Sequence, residues 1–276
     1  MGLTEMRRKK SVRKIVTSLC LCLAALALMK VADANEGIYV TDAILAEFVD
    51  ASYTKTVDNT DPRNVSTQKG KVNRAESDSS GGISVFGYVL GFRKLLGSGG
   101  FFLNGEFDIL LFHEGRVYGD IEEKGSSEGP NQLGESWSEN WTFERDDNYG
   151  FTLKLGGNPG PLKSWKANVY ALGGVCIARS RFEAHYNGCF KPEPCAASEY
   201  NSDRATENFW VPGWTGGVGM EKKLFHHTWL EVEGRYTSYK PKQWVTPFPD
   251  LGVEVTSESV NQTATLRFNV VFRKPN

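Results

Sequence analysis

Charged side chains recur at every second position in several segments of this chain. Glu106 and Asp108 form one such group, and Glu231, Glu233 and Arg235 form another. Residues at this spacing point to the same side of an extended strand. In an enclosed space, acids and bases are suited to ion pairing, because a buried charge without a partner is costly. The chain offers eight such residues: Glu106, Asp108, Lys154, Glu221, Glu231, Glu233, Arg235 and Arg267.

The histidines offer less chemistry than the carboxylates. His113 stands beside Glu114 at the end of an apolar segment, His185 lies in a polar segment, and His226 and His227 are adjacent in a short turn. None of them stands in a recognisable Ser/His/acid arrangement. Metal binding by the adjacent pair is the weaker alternative to a solvated turn. The sequence therefore predicts no catalytic residue, no cofactor and no metal site.

The first 34 residues have the organisation of a secretory signal peptide. Six Lys and Arg between positions 7 and 14 precede an apolar run from Ile15 to Met29, and Ala32-Asp33-Ala34 follows. This pattern predicts cleavage after Ala34, leaving residues 35–276 as one domain. The alternative is an uncleaved membrane anchor, but the apolar run is shorter than the ~20 residues that a spanning helix needs.

Removal of this segment makes the chain more acidic. Seven of the 32 Lys and Arg and two of the 33 Asp and Glu lie in it, leaving 25 basic and 31 acidic residues and a net charge of −6. A mildly acidic, exported chain is a poor binder of nucleic acid, so none is expected as a partner. Its length is compatible with one large all-β domain.

Three cysteines remain after cleavage. Cys189 and Cys195 are close enough in sequence to close a small loop in an oxidising compartment, which predicts a disulfide. The alternative for this pair is two free thiols. Cys176 is left over as an odd thiol.

The elements that must position the charged residues are strands. In "ATLRFNVVF", residues Leu266, Phe268, Val270 and Phe272 share one face and Arg267 lies on the other, which is the period of a β-strand. Similar alternation, or a short apolar run, predicts eight strands. They lie near residues 38–53, 83–92, 101–111, 149–155, 166–179, 215–221, 228–238 and 264–272.

The connections between these strands alternate in length. Long polar segments at 54–82, 115–148, 183–211 and 239–262 would all fall at one end of the array, with short turns near 97, 158 and 225 at the other. Outer-membrane barrels segregate their connections in this way, whereas soluble folds seldom do. The prediction is an all-β fold: an eight-stranded antiparallel up-and-down transmembrane β-barrel with four long extracellular loops and three short periplasmic turns, in a bacterial outer membrane.

In such a barrel the eight charged residues would line the lumen. We hypothesise that Arg267, Arg235 and Lys154 pair there with the five acids. The alternative is a hydrated lumen in which the charges interact weakly. Aromatic residues near the strand ends are predicted to form two interfacial girdles. These are Phe101, Trp165, Phe225, Trp229 and Phe272 toward the short turns, and Tyr53, Phe112, Tyr149, Phe182, Trp214 and Tyr236 toward the long loops.

The end of the chain resembles known outer-membrane barrels. Leu266, Phe268, Val270 and Phe272 are similar to the C-terminal assembly signal of these proteins, although four residues follow the last aromatic. The hairpin "GGVGMEKKLFHHTWLEVEGRYTS" is similar to the penultimate hairpin of the OmpA-like and opacity-protein barrels. The resemblance implies contacts with outer-membrane lipid, lipopolysaccharide and the barrel-assembly machinery. It also implies a surface antigen, adhesin or envelope-stabilising role, with an extracellular or host ligand bound through the loops.

Two other function classes remain as alternatives. Some barrels of this kind modify lipid A with a His-x-Ser pair near a strand top, but here the strand top carries Arg235-Tyr236-Thr237-Ser238 without a histidine. A soluble exported barrel that binds a small apolar ligand would need the apolar face to point inward. The expected protein is therefore not an enzyme, and its function would lie in the loops.

Overall fold

The structure is a computed structural model that describes residues 37–64, 69–97, 100–113, 116–124, 136–162, 164–189, 196–225, 227–248 and 252–273. Among these residues, no helix has the length and apolar character needed to cross a membrane. Two short 3₁₀ helices lie at Gly160–Leu162 and Ala197–Glu199. The strands are β1 (Gly37–Asp58), β2 (Val72–Leu96), β3 (Phe101–His113), β4 (Arg116–Lys124), β5 (Ser136–Gly157), β6 (Ala167–Cys189), β7 (Tyr200–Lys223), β8 (Thr228–Tyr239), β9 (Lys242–Phe248) and β10 (Val253–Phe272).

Eight of the strands close into a ring. Their order is β1-β2-β3-β5-β6-β7-β8-β10, and β10 returns to pair with β1 from Val40↔Phe272 to Asp58↔Glu254. Every ladder of the ring is antiparallel, which confirms the predicted eight-stranded barrel. Closure matters because it gives the backbone groups of each strand a partner without leaving an edge exposed to lipid.

Side chains alternate between the two faces of the barrel wall. From Thr41 to Asp50 of β1, buried and exposed residues follow one another strictly. Large apolar side chains lie on the outside, among them Val218 with 66% of its surface exposed and Val175 with 62%. The charged members of the same strands lie inside. The apolar face therefore points outward, as a barrel in lipid requires and opposite to a soluble ligand-binding barrel.

The strands are much longer than a membrane requires. A transmembrane strand needs about 9–11 residues, whereas β2 has 25 and β10 has 20. The excess projects beyond the apolar band at the end of the long connections. We call this part the extension; it comprises residues 50–58, 72–83, 116–124, 136–148, 179–189, 200–211, 242–248 and 253–262.

The extension corrects the predicted loop boundaries. Strands run through most of the segments predicted as long loops, and the connections that remain are residues 59–71, 125–135, 190–199 and 249–252. The loops were predicted too long because the outer face of the extension meets water and carries polar residues, as in "NRAESDSS" of β2. Such a strand loses the alternation that marks a membrane-facing strand.

Two strands of the extension are additional to the predicted eight. In the described part of the chain, β4 forms a ladder with β5 only, and β9 with β10 only. β4 pairs with β5 beyond the end of the β3 ladder, and β9 pairs with β10 beyond the end of the β8 ladder. Side-chain hydrogen bonds connect β2 to β4. Ser77 Oγ donates to the Asp120 carbonyl at 2.9 Å, and Ser79 Oγ donates to the Tyr118 carbonyl at 2.5 Å.

The three short connections lie together at the opposite end of the barrel. They are residues 97–100, 158–166 and 224–227. In the first of them, Gly97 and Gly100 have φ values of 67° and 76°. This left-handed conformation favours glycine, because a side chain would clash with the backbone there. The chain thereby reverses direction within a few residues, as a short hairpin requires.

Candidate functional site

The inward face of the barrel gathers the predicted charges in one cluster. β3 contributes Glu106 and Asp108, and β8 contributes Glu231, Glu233 and Arg235, because alternate residues of a strand share a face. Lys154, Glu221 and Arg267 enter from β5, β7 and β10. Seven of these eight residues are buried, and the side chain of Arg235 is only 8% exposed. The structure therefore places all eight inside the lumen.

Lys154 lies at the centre of the acidic side chains. Its Nζ atom is 2.7 Å from Glu106, 2.9 Å from Glu231 and 2.5 Å from Glu233. The ammonium group is fully buried, so these three carboxylates replace its water shell. One lysine thus links strands β3 and β8 through the middle of the barrel.

Two tyrosines complete the hydrogen bonding of these carboxylates. Tyr39 donates to Glu106 at 2.5 Å, and Tyr170 donates to Glu233 at 2.8 Å. Each ring lies flat against a glycine. A Cβ atom added to Gly91 would lie 2.2 Å from the Tyr39 ring, and one added to Gly219 would lie 2.5 Å from the Tyr170 ring. The absence of a side chain at Gly91 and Gly219 therefore lets the phenols reach the acids.

A second group of contacts surrounds Asp108. Arg267 Nη1 lies 2.5 Å from its carboxylate, and Arg235 Nη1 lies 3.4 Å from it. Arg235 also contacts Glu233 at 2.6 Å, which connects this group to that of Lys154. Arg267 Nε donates to Asn269 at 2.6 Å. Charges on β3, β8 and β10 are thus joined across the lumen.

Four further charged residues that the sequence analysis missed belong to the same lumen. Arg93 lies 2.8 Å from Glu221, and Arg273 lies 2.6 Å from Glu221 and 3.2 Å from Glu231. Arg145 lies 3.3 Å from Glu47. With them the cluster contains six acids and six bases, each with an ion-pair partner. We call this set the lumen cluster: Glu47, Glu106, Asp108, Glu221, Glu231, Glu233, Arg93, Arg145, Lys154, Arg235, Arg267 and Arg273.

Of the four missed residues, only Arg273 had a usable signal in the sequence. Glu47 lies in a segment that is apolar on both faces, and Arg93 directly follows another, which was predicted to end at residue 92, so hydropathy alone could not choose their inward faces. Their parity with Leu45 and Val89, both buried, places them inside. Arg145 fell in a segment predicted as loop. Arg273 shares the parity of Arg267 but stands beyond the predicted end of the strand.

The lumen above the lumen cluster is filled by aromatic side chains. Phe182 lies at their centre, with ring centroids 4.6 Å from Tyr53, 5.8 Å from Trp141 and 5.1 Å from Trp244. Phe209 stacks on Trp244 at 6.0 Å. We call these five residues the aromatic core. Near it, Lys55 and Glu139 form a buried ion pair of 2.6 Å. The extension is therefore a packed structure rather than a set of separate hairpins.

The aromatic core corrects two assignments to the outer girdle. Tyr53 and Phe182 are 1% and 2% exposed and point inward, because they lie on the inner face of strands that continue past the membrane. Trp229 also turns toward the lumen mouth, where its ring lies 4.8 Å from the Arg273 guanidinium. Other predicted girdle residues lie outside and exposed: Phe101, Trp165, Phe225 and Phe272 toward the short turns, and Trp214 and Tyr236 toward the extension.

The remaining predicted residues fall in three places. Leu266, Phe268, Val270 and Phe272 form one outward row on β10, each 40–45% exposed. Cys176 faces the lumen beside a cavity of about 30 Å³, which it lines with Glu47, Asp108 and Arg235. The proposed pairing of Cys189 with Cys195 lies outside the described residues and stays a prediction.

Other chemistry is sparse in the described part of the chain. No group of three His, Cys, Asp or Glu side chains there is arranged to hold a metal ion. His185 lies 3.3 Å from Glu183 on the outer surface of the extension and is half exposed. The side chains of His113 and His226 lie outside the description.

A closed ring of eight antiparallel strands, with apolar side chains outside and paired charges inside, defines a transmembrane barrel of the outer-membrane class. The sequence comparison agrees with this class. The model of the family described as outer membrane protein beta-barrel domain matches residues 18–273, and the chain belongs to that family. The protein is thus an outer-membrane barrel, with the extension at one end of the ring and the short turns at the other.

Solved structures with similar chains include several outer-membrane barrels. Ail of Yersinia pestis is 10% identical, with 80% of this chain and 97% of that chain covered and a TM-score of 0.25. OprG of Pseudomonas aeruginosa is 11% identical over 88% and 99%, with a TM-score of 0.44. The protease OmpT of Escherichia coli is 10% identical over 84% and 96%, with a TM-score of 0.38. No curated protein matches the chain at a significant level.

Proposed function

We propose that this outer-membrane barrel is a surface-contact protein that binds an extracellular or host ligand through the tips of its extension. The observation that carries the proposal is the aromatic core, in which Phe182 contacts Tyr53, Trp141 and Trp244 above the membrane. A packed scaffold of this kind holds surface loops at fixed positions, which is the usual arrangement of a binding surface. The connections at the tips are residues 59–71, 125–135, 190–199 and 249–252.

The lumen supports a structural role for the barrel itself. The lumen cluster occupies one part of the interior and the aromatic core occupies the other. An eight-stranded barrel has an interior that side chains just fill. We infer that the barrel is a closed support that conducts no ions, and that it is not an enzyme.

The experiment replaces the four tip connections with Gly-Ser segments of equal length. Bacteria that display the native chain should adhere to cultured host cells, and bacteria that display the variant should not. Both chains must show the mobility shift between unheated and heated samples that marks a folded barrel. Equal adherence of the two strains, or adherence of neither above a strain without the protein, would refute the proposed contact function.

An envelope-stabilising role is the second candidate, and the balanced lumen cluster favours it. Ion pairs across the lumen join β3, β5, β7, β8 and β10 to one another, which is the arrangement expected of a structural support. In this case, deletion of the protein would sensitise cells to detergent, and the Gly-Ser variant would restore resistance. A lipid A-modifying activity would instead appear as a mass change of lipid A on expression.

The signal peptide is proposed on sequence grounds. Cleavage after Ala34 would leave two residues before β1 begins at Gly37. Amino-terminal sequencing of the protein from outer membranes should start at Asn35. A retained N-terminus would overturn this assignment.

A further inference from the structure

A small cavity lies inside the barrel where the lumen cluster meets the apolar residues above it. Its wall includes Glu47, Asp108 and Arg235 of the lumen cluster and the buried Leu45 and Leu110. Residues from seven of the eight ring strands contribute to the wall. Its volume of about 30 Å³ exceeds the ~10–15 Å³ that one water molecule needs. The cavity therefore has room for a ligand of that size.

One buried acceptor at the cavity wall lacks a partner in the protein. The Asn148 amide Nδ2 donates to the Tyr239 hydroxyl at 3.0 Å. The amide oxygen Oδ1 is buried, and none of the described residues donates to it. Asn148 itself is only 7% exposed and lines the cavity. Buried polar groups are almost always satisfied by protein or by ordered water, since an unmade hydrogen bond is costly. Asn148 therefore needs a donor from the cavity.

The other polar groups of the wall, apart from Arg235, offer mainly acceptors. Thr152 Oγ1 donates its proton to Asp108 at 3.2 Å, and Thr265 Oγ1 donates to Glu47 at 3.3 Å. Each hydroxyl oxygen keeps lone pairs but has no second proton. The thiol of Cys176 is a weak donor. A ligand that suits this wall must therefore be a very small molecule that donates at least two hydrogen bonds.

We propose that the cavity binds a single buried water molecule. The water donates to Asn148 Oδ1 and to a carboxylate of the lumen cluster, and it accepts from the Arg235 guanidinium. About three hydrogen bonds are typical of a buried water. A metal cation is disfavoured, because the six acids and six bases of the lumen cluster already balance and an added charge would have no partner. The water connects the ion pair of Glu47 with those of Asp108, and the site is separate from the contact surface proposed at the tips.

Gly150 controls the room in this cavity. It lies in the wall, and a Cβ atom added to it would lie 3.6 Å from the Cβ atom of Cys176 and 3.7 Å from that of Asp108. These are ordinary van der Waals distances, so Gly150→Ala places a methyl group in the cavity without a clash. Gly105, on the outer face of β3, is the matched control. A Cβ atom there would lie 3.8 Å from Leu153 and would not reach the lumen.

The test compares Gly150→Ala with Gly105→Ala by the temperature at which the compact gel band converts to the unfolded one. Both changes remove the same backbone freedom from the unfolded chain, so their difference reports on the cavity. Displacement of the water leaves Asn148 Oδ1 without a donor. Gly150→Ala should therefore convert about 5 °C below Gly105→Ala. If Gly150→Ala converts at the same or a higher temperature, the cavity is a dry void that a methyl group fills, and the proposal is wrong.

A crystal structure of the native chain gives the direct measurement. It should show electron density for a water molecule about 3 Å from Asn148 Oδ1. Crystals under xenon pressure should show no xenon in the cavity, because xenon enters apolar cavities that stay dry. Absent water density, bound xenon, or a metal ion in place of the water would each overturn the proposal. This measurement also decides the question if Gly150→Ala does not fold.

Discussion

Arg273 lies 2.6 Å from Glu221 at the short-turn end of the barrel, immediately after the last residue of β10. The backbone N–H of Arg273 also donates to the His227 carbonyl at 2.9 Å. The final strand therefore does more than present Phe272 to lipid. Its next residue turns inward and closes the lumen, which gives a structural reason for a chain that continues past its last aromatic.

We predict that Arg273→Ala destabilises the barrel by about 3 kcal/mol, because Glu231 and Glu221 each lose a buried partner. The loss of stability is smaller at Glu221, because this residue keeps its ion pair with Arg93. The measurement is the temperature at which the compact gel band converts to the unfolded one. Arg63→Ala is the control, since Arg63 pairs with Asp61 at an exposed site and should leave this temperature unchanged.

Arg267→Ala should also lower this temperature strongly, by the equivalent of about 3–5 kcal/mol. Asp108 would lose its nearest cation, at 2.5 Å, and keep only the more distant Arg235. The urea concentration at the midpoint of unfolding gives a second measurement. If it is unchanged in the variant, the lumen is hydrated and its charges interact weakly.

Purified protein in planar lipid bilayers should show no steady ion conductance. The lumen cluster and the aromatic core fill successive parts of the interior, and the cavity beside Cys176 is only about 30 Å³. Stepwise currents that persist at constant voltage would contradict a closed lumen. A porin inserted under the same conditions is the positive control.

Phe182→Ala should loosen the extension without unfolding the membrane part. Removal of the ring leaves a cavity between Tyr53, Trp141 and Trp244, at a cost of about 3–5 kcal/mol. Limited trypsin digestion of intact cells should then cleave the extension faster. Phe151→Ala removes a ring of the same size from the lipid-facing surface and should not change the cleavage rate.

Phe272→Ala should reduce the amount of protein assembled in the outer membrane, because it removes the last aromatic of the outward row on β10. The fraction of heat-modifiable protein in isolated outer membranes measures this. Val175→Ala, which removes an outward side chain from β6, should assemble normally. If both variants assemble equally well, Phe272 is not part of the C-terminal assembly signal.

The sequence determined the barrel and the composition of its interior. A period of two, outward apolar rows and short turns at one end were sufficient to predict eight antiparallel strands, because lipid leaves few other folds available. The same parity placed Glu106, Lys154 and Arg267 inside. Arg273 falls on the same strand face as Arg267, but sequence alone gave no reason to extend the strand past its last aromatic.

Only the tertiary structure decided which charges meet and where the strands end. Lys154 and Glu231 are 77 positions apart in the sequence and yet in contact. Such pairs depend on the closure of the ring rather than on any local pattern. The extension was hidden for a related reason. The outer face of the extension and the connections at its tips are both polar, so its strands and loops have the same composition and cannot be told apart by hydropathy. There the inward Tyr53 and Phe182 resemble girdle aromatics until the packing of their neighbours is known.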